Sequence, residues 1–89
     1  MAWTLEFSKA ALSSLKKMDR HTAARIVDYL EERVASSKNP RDLGKMMVGK
    51  KFENMWRYRI GDYRVLVEIK EDVVTILVVD VGHRREVYL

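Results

Sequence analysis

The sequence predicts an α+β domain: a short N-terminal strand, a helical hairpin, then antiparallel strands forming one twisted sheet with the helices on one face. Three patterns carry that expectation. Trp3, Leu5 and Phe7 alternate with Thr4 and Glu6, the period-two signature of a strand. Ile26, Leu30 and Val34 recur every four residues with Val27 beside them, opposite a face carrying Arg25, Asp28 and Glu32, as in a helix packed on one side. From Met55 onward β-branched and aromatic residues dominate. At 89 residues and 47% hydrophobic content the chain makes a single domain, 1–89, too apolar for disorder.

The elements follow in order. Ser8 is placed to cap a first helix whose stripe is Leu12, Leu15 and Met18, and Asp19 or His21 begins the second. Ser36, Ser37, Lys38, Asn39 and Pro40 end that helix, because proline disfavours helical geometry in the residue before it. Residues 41–54 hold Gly44, Gly49 and much charge, and read as a connecting loop with room for one helical turn. Strands are expected over 55–60, 63–70 and 73–81, with a short extended tail at 85–89. Gly61 and Asp62 give a two-residue hairpin signal, and Glu71 and Asp72 a weaker turn.

Several function classes are excluded or disfavoured. With no cysteine there is neither a disulfide framework nor a thiolate metal site, which fits a reducing cytosol. The N-terminus M-A-W-T-L-E-F-S-K lacks the pattern of a secretory signal, and the apolar runs are too short for a membrane span. No His, Asp or Glu group has metal-ligand spacing, so neither metal nor cofactor is expected. The net charge of +4 is unevenly spread. Residues 1–37 hold six Lys/Arg against five Asp/Glu, residues 38–64 eight against three, and residues 65–89 three against five. A basic middle segment favours a polyanionic partner, with a solvated basic loop as the plain alternative.

The stretch W-R-Y-R-I-G-D-Y-R, residues 56–64, sharpens this reading. Successive strand side chains point to opposite faces. Trp56, Tyr58 and Ile60 then share the core face with Tyr63, Val65, Val67 and Ile69, while Arg57 and Arg59 share the other. A two-residue hairpin at Gly61 and Asp62 sets Ile60 opposite Tyr63 and Arg59 opposite Arg64, with Arg57 diagonal to Arg64. Like charges directly opposite on a sheet are unfavourable by a few tenths to about 1 kcal/mol. A phosphate ligand would neutralise them; screening by solvent, or pairing with Glu68 on the same face, is the alternative. Near the chain end, V-G-H-R-R-E-V-Y-L puts Arg84 and Tyr88 on one side of an extended segment that, returning along the sheet, would flank this cluster.

W-R-Y-R-I-G-D-Y-R-V followed by V-G-H-R-R-E-V-Y resembles the RelE-type toxins of the RelE/ParE superfamily, and the helix pair and the loop L-G-K-M-M-V-G-K-K fit the same pattern over nearly the whole chain. The resemblance implies a RelE-like fold and the toxin half of a bacterial type II toxin–antitoxin pair, cytoplasmic and inactivated by a cognate antitoxin that wraps it. Many such toxins enter the ribosomal A site and cut mRNA there. It sets Arg57 and Arg59 at two basic positions of the strand before the hairpin, and Arg64 at the arginine opening the next strand. Arg84 falls at an arginine near the end of the last strand, Tyr88 at the C-terminal tyrosine, and His83 where the family often has a basic residue. One departure matters: the best-described type has lysines where Arg57 and Arg59 stand, and arginine does not lose its proton as a crowded lysine does.

The chemistry implied is attack of an RNA 2′-hydroxyl on the adjacent phosphorus. Arg64, Arg57 and Arg59 bind the phosphate and stabilise its transition state, Arg84 relieves charge or donates a proton at the leaving 5′ oxygen, and Tyr88 stacks on the scissile nucleotide. His83 is the nearby side chain whose ordinary titration lies near neutrality; otherwise catalysis rests on alignment by the ribosome. His21 is given no chemical role. Lys45, Lys50 and Lys51 are expected to contact ribosomal RNA. The alternatives are a same-fold toxin that inhibits DNA gyrase without cutting RNA, and a non-catalytic RNA- or protein-binding relative.

Overall fold

The computed structural model describes residues 2–83. Arg84, Tyr88 and the expected tail at 85–89 lie outside the described residues. The elements are β1 (Thr4–Phe7), α1 (Lys9–Lys17), α2 (Arg20–Tyr29), β2 (Lys45–Met46), β3 (Met55–Ile60), β4 (Tyr63–Lys70) and β5 (Thr75–His83). Among the described residues the strands form one open five-stranded sheet, ordered β1-β5-β4-β3-β2. The fold is α+β, as the sequence predicts. β1 pairs parallel with β5 and the other pairs are antiparallel, so the sheet is mixed.

Local chemistry sets the helix boundaries. Ser8 caps α1, its Oγ accepting the Ala11 N–H at 3.0 Å, and Asp19 caps α2 by accepting the Thr22 N–H at 3.2 Å. After Tyr29 the helix widens into a π turn at Leu30–Val34, where the Ala35 N–H donates to the Leu30 carbonyl. The widening keeps Ile26, Leu30 and Val34 on one inward line, all at or below 1% exposure. They pack with Tyr58, Ile60, Val65, Val67, Ile69, Ile76, Val78 and Val81 to form the core between helices and sheet.

Three local expectations are corrected. Leu12 is 44% exposed, and α1 instead turns Ala11, Leu15 and Met18 inward. Ala11 is fully buried where α1 packs against β5, because a small side chain allows the close approach. The 41–54 segment is more ordered than a loop: 3₁₀ turns at Pro40–Leu43 and Lys50–Phe52 flank β2. The last strand starts at Thr75, not at 73, because a 3₁₀ turn at Glu71–Val73 and a left-handed Val74 (φ 47°) come first.

Two contacts tie the Pro40 turn to the sheet. The buried Tyr58 hydroxyl donates to the Pro40 carbonyl at 2.7 Å. At Gly44 an added Cβ would meet Tyr58 at 2.8 Å and the Arg57 carbonyl at 2.9 Å, so only glycine lets the backbone pass this close. That approach delivers β2 to the outer edge of β3.

Candidate nucleic-acid interface

The hairpin register places the basic residues. Ile60 stands opposite Tyr63, Arg59 opposite Arg64 and Arg57 opposite Leu66, with Gly61 (φ 60°) at the turn. β2 adds Lys45 opposite Arg57, and β5 adds Gly82 opposite Arg64 and Asp80 opposite Leu66. The sheet face away from the helices therefore carries two adjacent rows. One reads Lys45, Arg57, Leu66, Asp80; the other reads Arg59, Arg64, Gly82.

Four cations thus stand in two like-charged cross-strand pairs, Arg59 with Arg64 and Lys45 with Arg57. The Arg59–Arg64 juxtaposition costs a few tenths to about 1 kcal/mol unless an anion answers it. Arg64 Nη1 donates to the Tyr63 carbonyl at 3.0 Å and the Gly61 carbonyl at 3.3 Å, which holds the guanidinium at the hairpin end. A guanidinium has five N–H donors in a planar fork, so this anchoring still permits phosphate binding. Leu66, at 7% exposure, gives the row an apolar floor.

Lys50 and Lys51 lie exposed on the 3₁₀ turn beyond β2, and the Lys51 ammonium stands 5.4 Å from the Phe52 ring centroid. They lie beyond the Met55 end of β3, away from the hairpin end that carries Arg59 and Arg64. Lys45, read from sequence as a loop contact, is instead a strand residue within the first row.

His83 is not brought to this face. It is the register partner of Tyr63 and meets that ring edge-on at 5.6 Å between centroids, on the helix side of the sheet. Arg59 also lines a groove of about 610 Å³ between α2 and the hairpin, where Arg25 and Arg33 stand with the carboxylates of Asp28 and Glu32.

Sequence reasoning missed Asp80. Its signal was an isolated acid inside the apolar run V-V-D-V, at a position where a regular pleat points into the core.

Comparison with known proteins bears on the family and the fold. The family model described as "ParE toxin of type II toxin-antitoxin system, parDE" matches residues 5–88. No curated protein matches by sequence. Among solved structures, the toxin–antitoxin complex RelBE2 from Mycobacterium tuberculosis superimposes with a TM-score of 0.84 at 23% identity, covering 97% of this chain and 95% of that one. The isolated RelE toxin of E. coli gives 0.72 at 20% identity, covering 92% and 84%. The RelB–RelE antitoxin–toxin complex from Methanococcus jannaschii gives 0.68 at 29% identity, covering 93% and 94%. With a family match over nearly its whole length, the chain belongs to the ParE toxins of type II toxin–antitoxin systems, within the RelE/ParE superfamily.

Proposed function

We propose that this toxin is a ribosome-dependent endoribonuclease that cuts mRNA in the A site and is restrained by a cognate antitoxin. The observation that carries the reading is the cluster of Lys45, Arg57, Arg59 and Arg64 on the sheet face the helices leave open, with Arg59 directly opposite Arg64. Folding gains nothing from the Arg59–Arg64 repulsion, and a ribose-phosphate chain would relieve it. Structural likeness to RelE toxins and RelB–RelE complexes supports the same direction.

In this reaction RNA supplies its own nucleophile. The 2′ oxygen attacks the adjacent phosphorus, the P–O5′ bond breaks, and a 2′,3′-cyclic phosphate and a 5′-hydroxyl result. Arg57, Arg59 and Arg64 bind the phosphate and stabilise the added negative charge of the transition state. Arg84 relieves charge at the leaving oxygen, and Tyr88 stacks on the scissile nucleotide; both roles come from the resemblance. Lys45 extends the phosphate-binding row, and Lys50 and Lys51 contact ribosomal RNA. The ribosome holds the message in reactive geometry.

The family model's ParE description favours a second reading, inhibition of DNA gyrase without RNA cleavage. One experiment separates the two. Translating ribosomes are incubated with the toxin and mRNA 5′ ends are mapped by primer extension, while gyrase is assayed for trapped DNA breaks. Cuts in phase with the A-site codon support the endonuclease. Intact message with gyrase-linked breaks rejects it.

A further inference from the structure

Asp80 is a charged residue within an apolar strand. Ile76 and Val78 face the core, so a regular pleat would send Asp80, two residues on, into the core as well. The register prevents this. Pairing passes from Val67 with Val78 to Leu66 with Asp80, which leaves Val79 as an extra residue in a β-bulge. Ser8 holds the bulge: its Oγ–H donates to the Val79 carbonyl at 2.6 Å and its N–H to the Val78 carbonyl at 2.9 Å. The side-chain sequence flips there. Asp80 lands on the arginine face, and Val81 returns to the core at 2% exposure.

The carboxylate is also oriented. Its Oδ1 accepts the Val81 N–H at 2.9 Å, and among the described residues it forms no salt bridge. It shares a row with Arg57 and lies diagonal to Arg64, whose own partner on β5 is Gly82, a residue without a side chain. Diagonal neighbours on a sheet have Cβ atoms within about 7–8 Å, a gap suited to one ribose-phosphate unit held between the two side chains.

Resting on the endonuclease reading above, we infer that Asp80 is the proton acceptor for the attacking 2′-hydroxyl. With the phosphate on Arg64 and Arg57, the ribose 2′-hydroxyl falls against Oδ2. Its proton passes to the carboxylate as the O2′–P bond forms and the P–O5′ bond breaks. The departing O5′ takes a proton from solvent, and Asp80 then returns its own to solvent. The role is open because His83 faces Tyr63 on the other side of the sheet, and arginine does not give up its proton. Glu68, the other β4–β5 carboxylate on this face, stands in the next row between Met55 and Leu77, away from Arg64.

The test compares wild type, Asp80→Asn, Asp80→Glu and Glu68→Gln for single-turnover cleavage on programmed ribosomes and for ribosome affinity. Asparagine keeps the Oδ1 acceptor for Val81 but takes no proton, and circular dichroism checks that each variant is folded. Loss of a general base lowers the rate about 100-fold or more. Asp80→Asn is expected to cut at least that much more slowly while binding ribosomes as tightly as wild type or tighter, since a negative charge has left a cationic surface. Asp80→Glu restores part of the rate, and Glu68→Gln cuts within about threefold of wild type. Cleavage by Asp80→Asn at the wild-type rate, or the large loss falling on Glu68→Gln instead, overturns the assignment to Asp80 and leaves the endonuclease reading standing. Absence of phased cuts with wild type overturns both.

Discussion

Arg59 is cheap to carry on a strand until Arg64 faces it, and the register makes them face. If the pair exists for an anion, its stability and activity effects must have opposite signs. Arg59→Gln removes one charge without altering the core, and should raise unfolding free energy by a few tenths to about 1 kcal/mol in urea melts. The same variant should cut programmed mRNA at least about tenfold more slowly, because a single pre-organised donor in a transition-state site is commonly worth about 10²–10³. Unchanged cleavage would reduce the arginine face to a solvated surface. Tyr58 makes a complementary case, a polar atom that serves the fold. Its hydroxyl satisfies the Pro40 carbonyl, so Tyr58→Phe should cost about 1–3 kcal/mol in urea melts without changing the cleavage of folded protein. Burial foremost, with Tyr29 adding and Arg41 opposing, pushes the Tyr58 hydroxyl above the ordinary tyrosine range. The neutral form is therefore the folded form. The unfolded chain releases this proton from about pH 10, so stability is present below that pH and falls as pH rises beyond it, a loss that Tyr58→Phe should blunt.

At the level of elements, what could be read in advance depended on whether the signal was local. The β3–β4 hairpin was legible because Gly61 and Asp62 fix the turn and the alternation of Trp56, Tyr58 and Ile60 with arginines fixes the faces. The α2 stripe was legible for the same reason. β2 was not, because a two-residue strand exists only through its partner, and the Gly44 passage that brings it to β3 is a tertiary requirement. In α1, hydrophobicity pointed to Leu12, but the tight packing on β5 selected Ala11. The bulge at Val79 was hidden most deeply, since its anchor, Ser8, is 71 residues away in sequence. Ser8 joins two elements at once, as cap of α1 and clamp on β5. Ser8→Ala should therefore cost about 1–2 kcal/mol by thermal or urea denaturation, the upper part of the usual range for a lost cap. A cost of only a few tenths would mean that the bulge is held by the strand pairing alone.

The whole molecule is electrically lopsided in a way that the linear charge count foreshadowed but did not locate. The basic middle segment folds into the β2–β3–β4 side of the sheet, where Lys45, Arg57, Arg59 and Arg64 share a face, with Lys50 and Lys51 on the turn between β2 and β3. Across the same sheet, Asp80 lies on β5 and Glu6 on β1, opposite Leu77. A polyanion approaching this surface is drawn to the hairpin side and away from the β1 edge. On the proposed function, the two exposed lysines beyond β2 contribute affinity through counterion release and no chemistry. For a contact to RNA phosphate, log K falls with log salt by about 0.7–0.9 per neutralised charge. Ribosome binding by the Lys50→Ala, Lys51→Ala double variant, titrated from low to physiological salt, should give a slope shallower than wild type by about 1.4–1.8. Single-turnover cleavage at saturating toxin should remain within about threefold of wild type, since neither ammonium belongs to the two rows proposed to hold the reacting phosphate. Parallel salt slopes would remove both lysines from the RNA interface; a shallower slope accompanied by lost chemistry would move them into the reacting site.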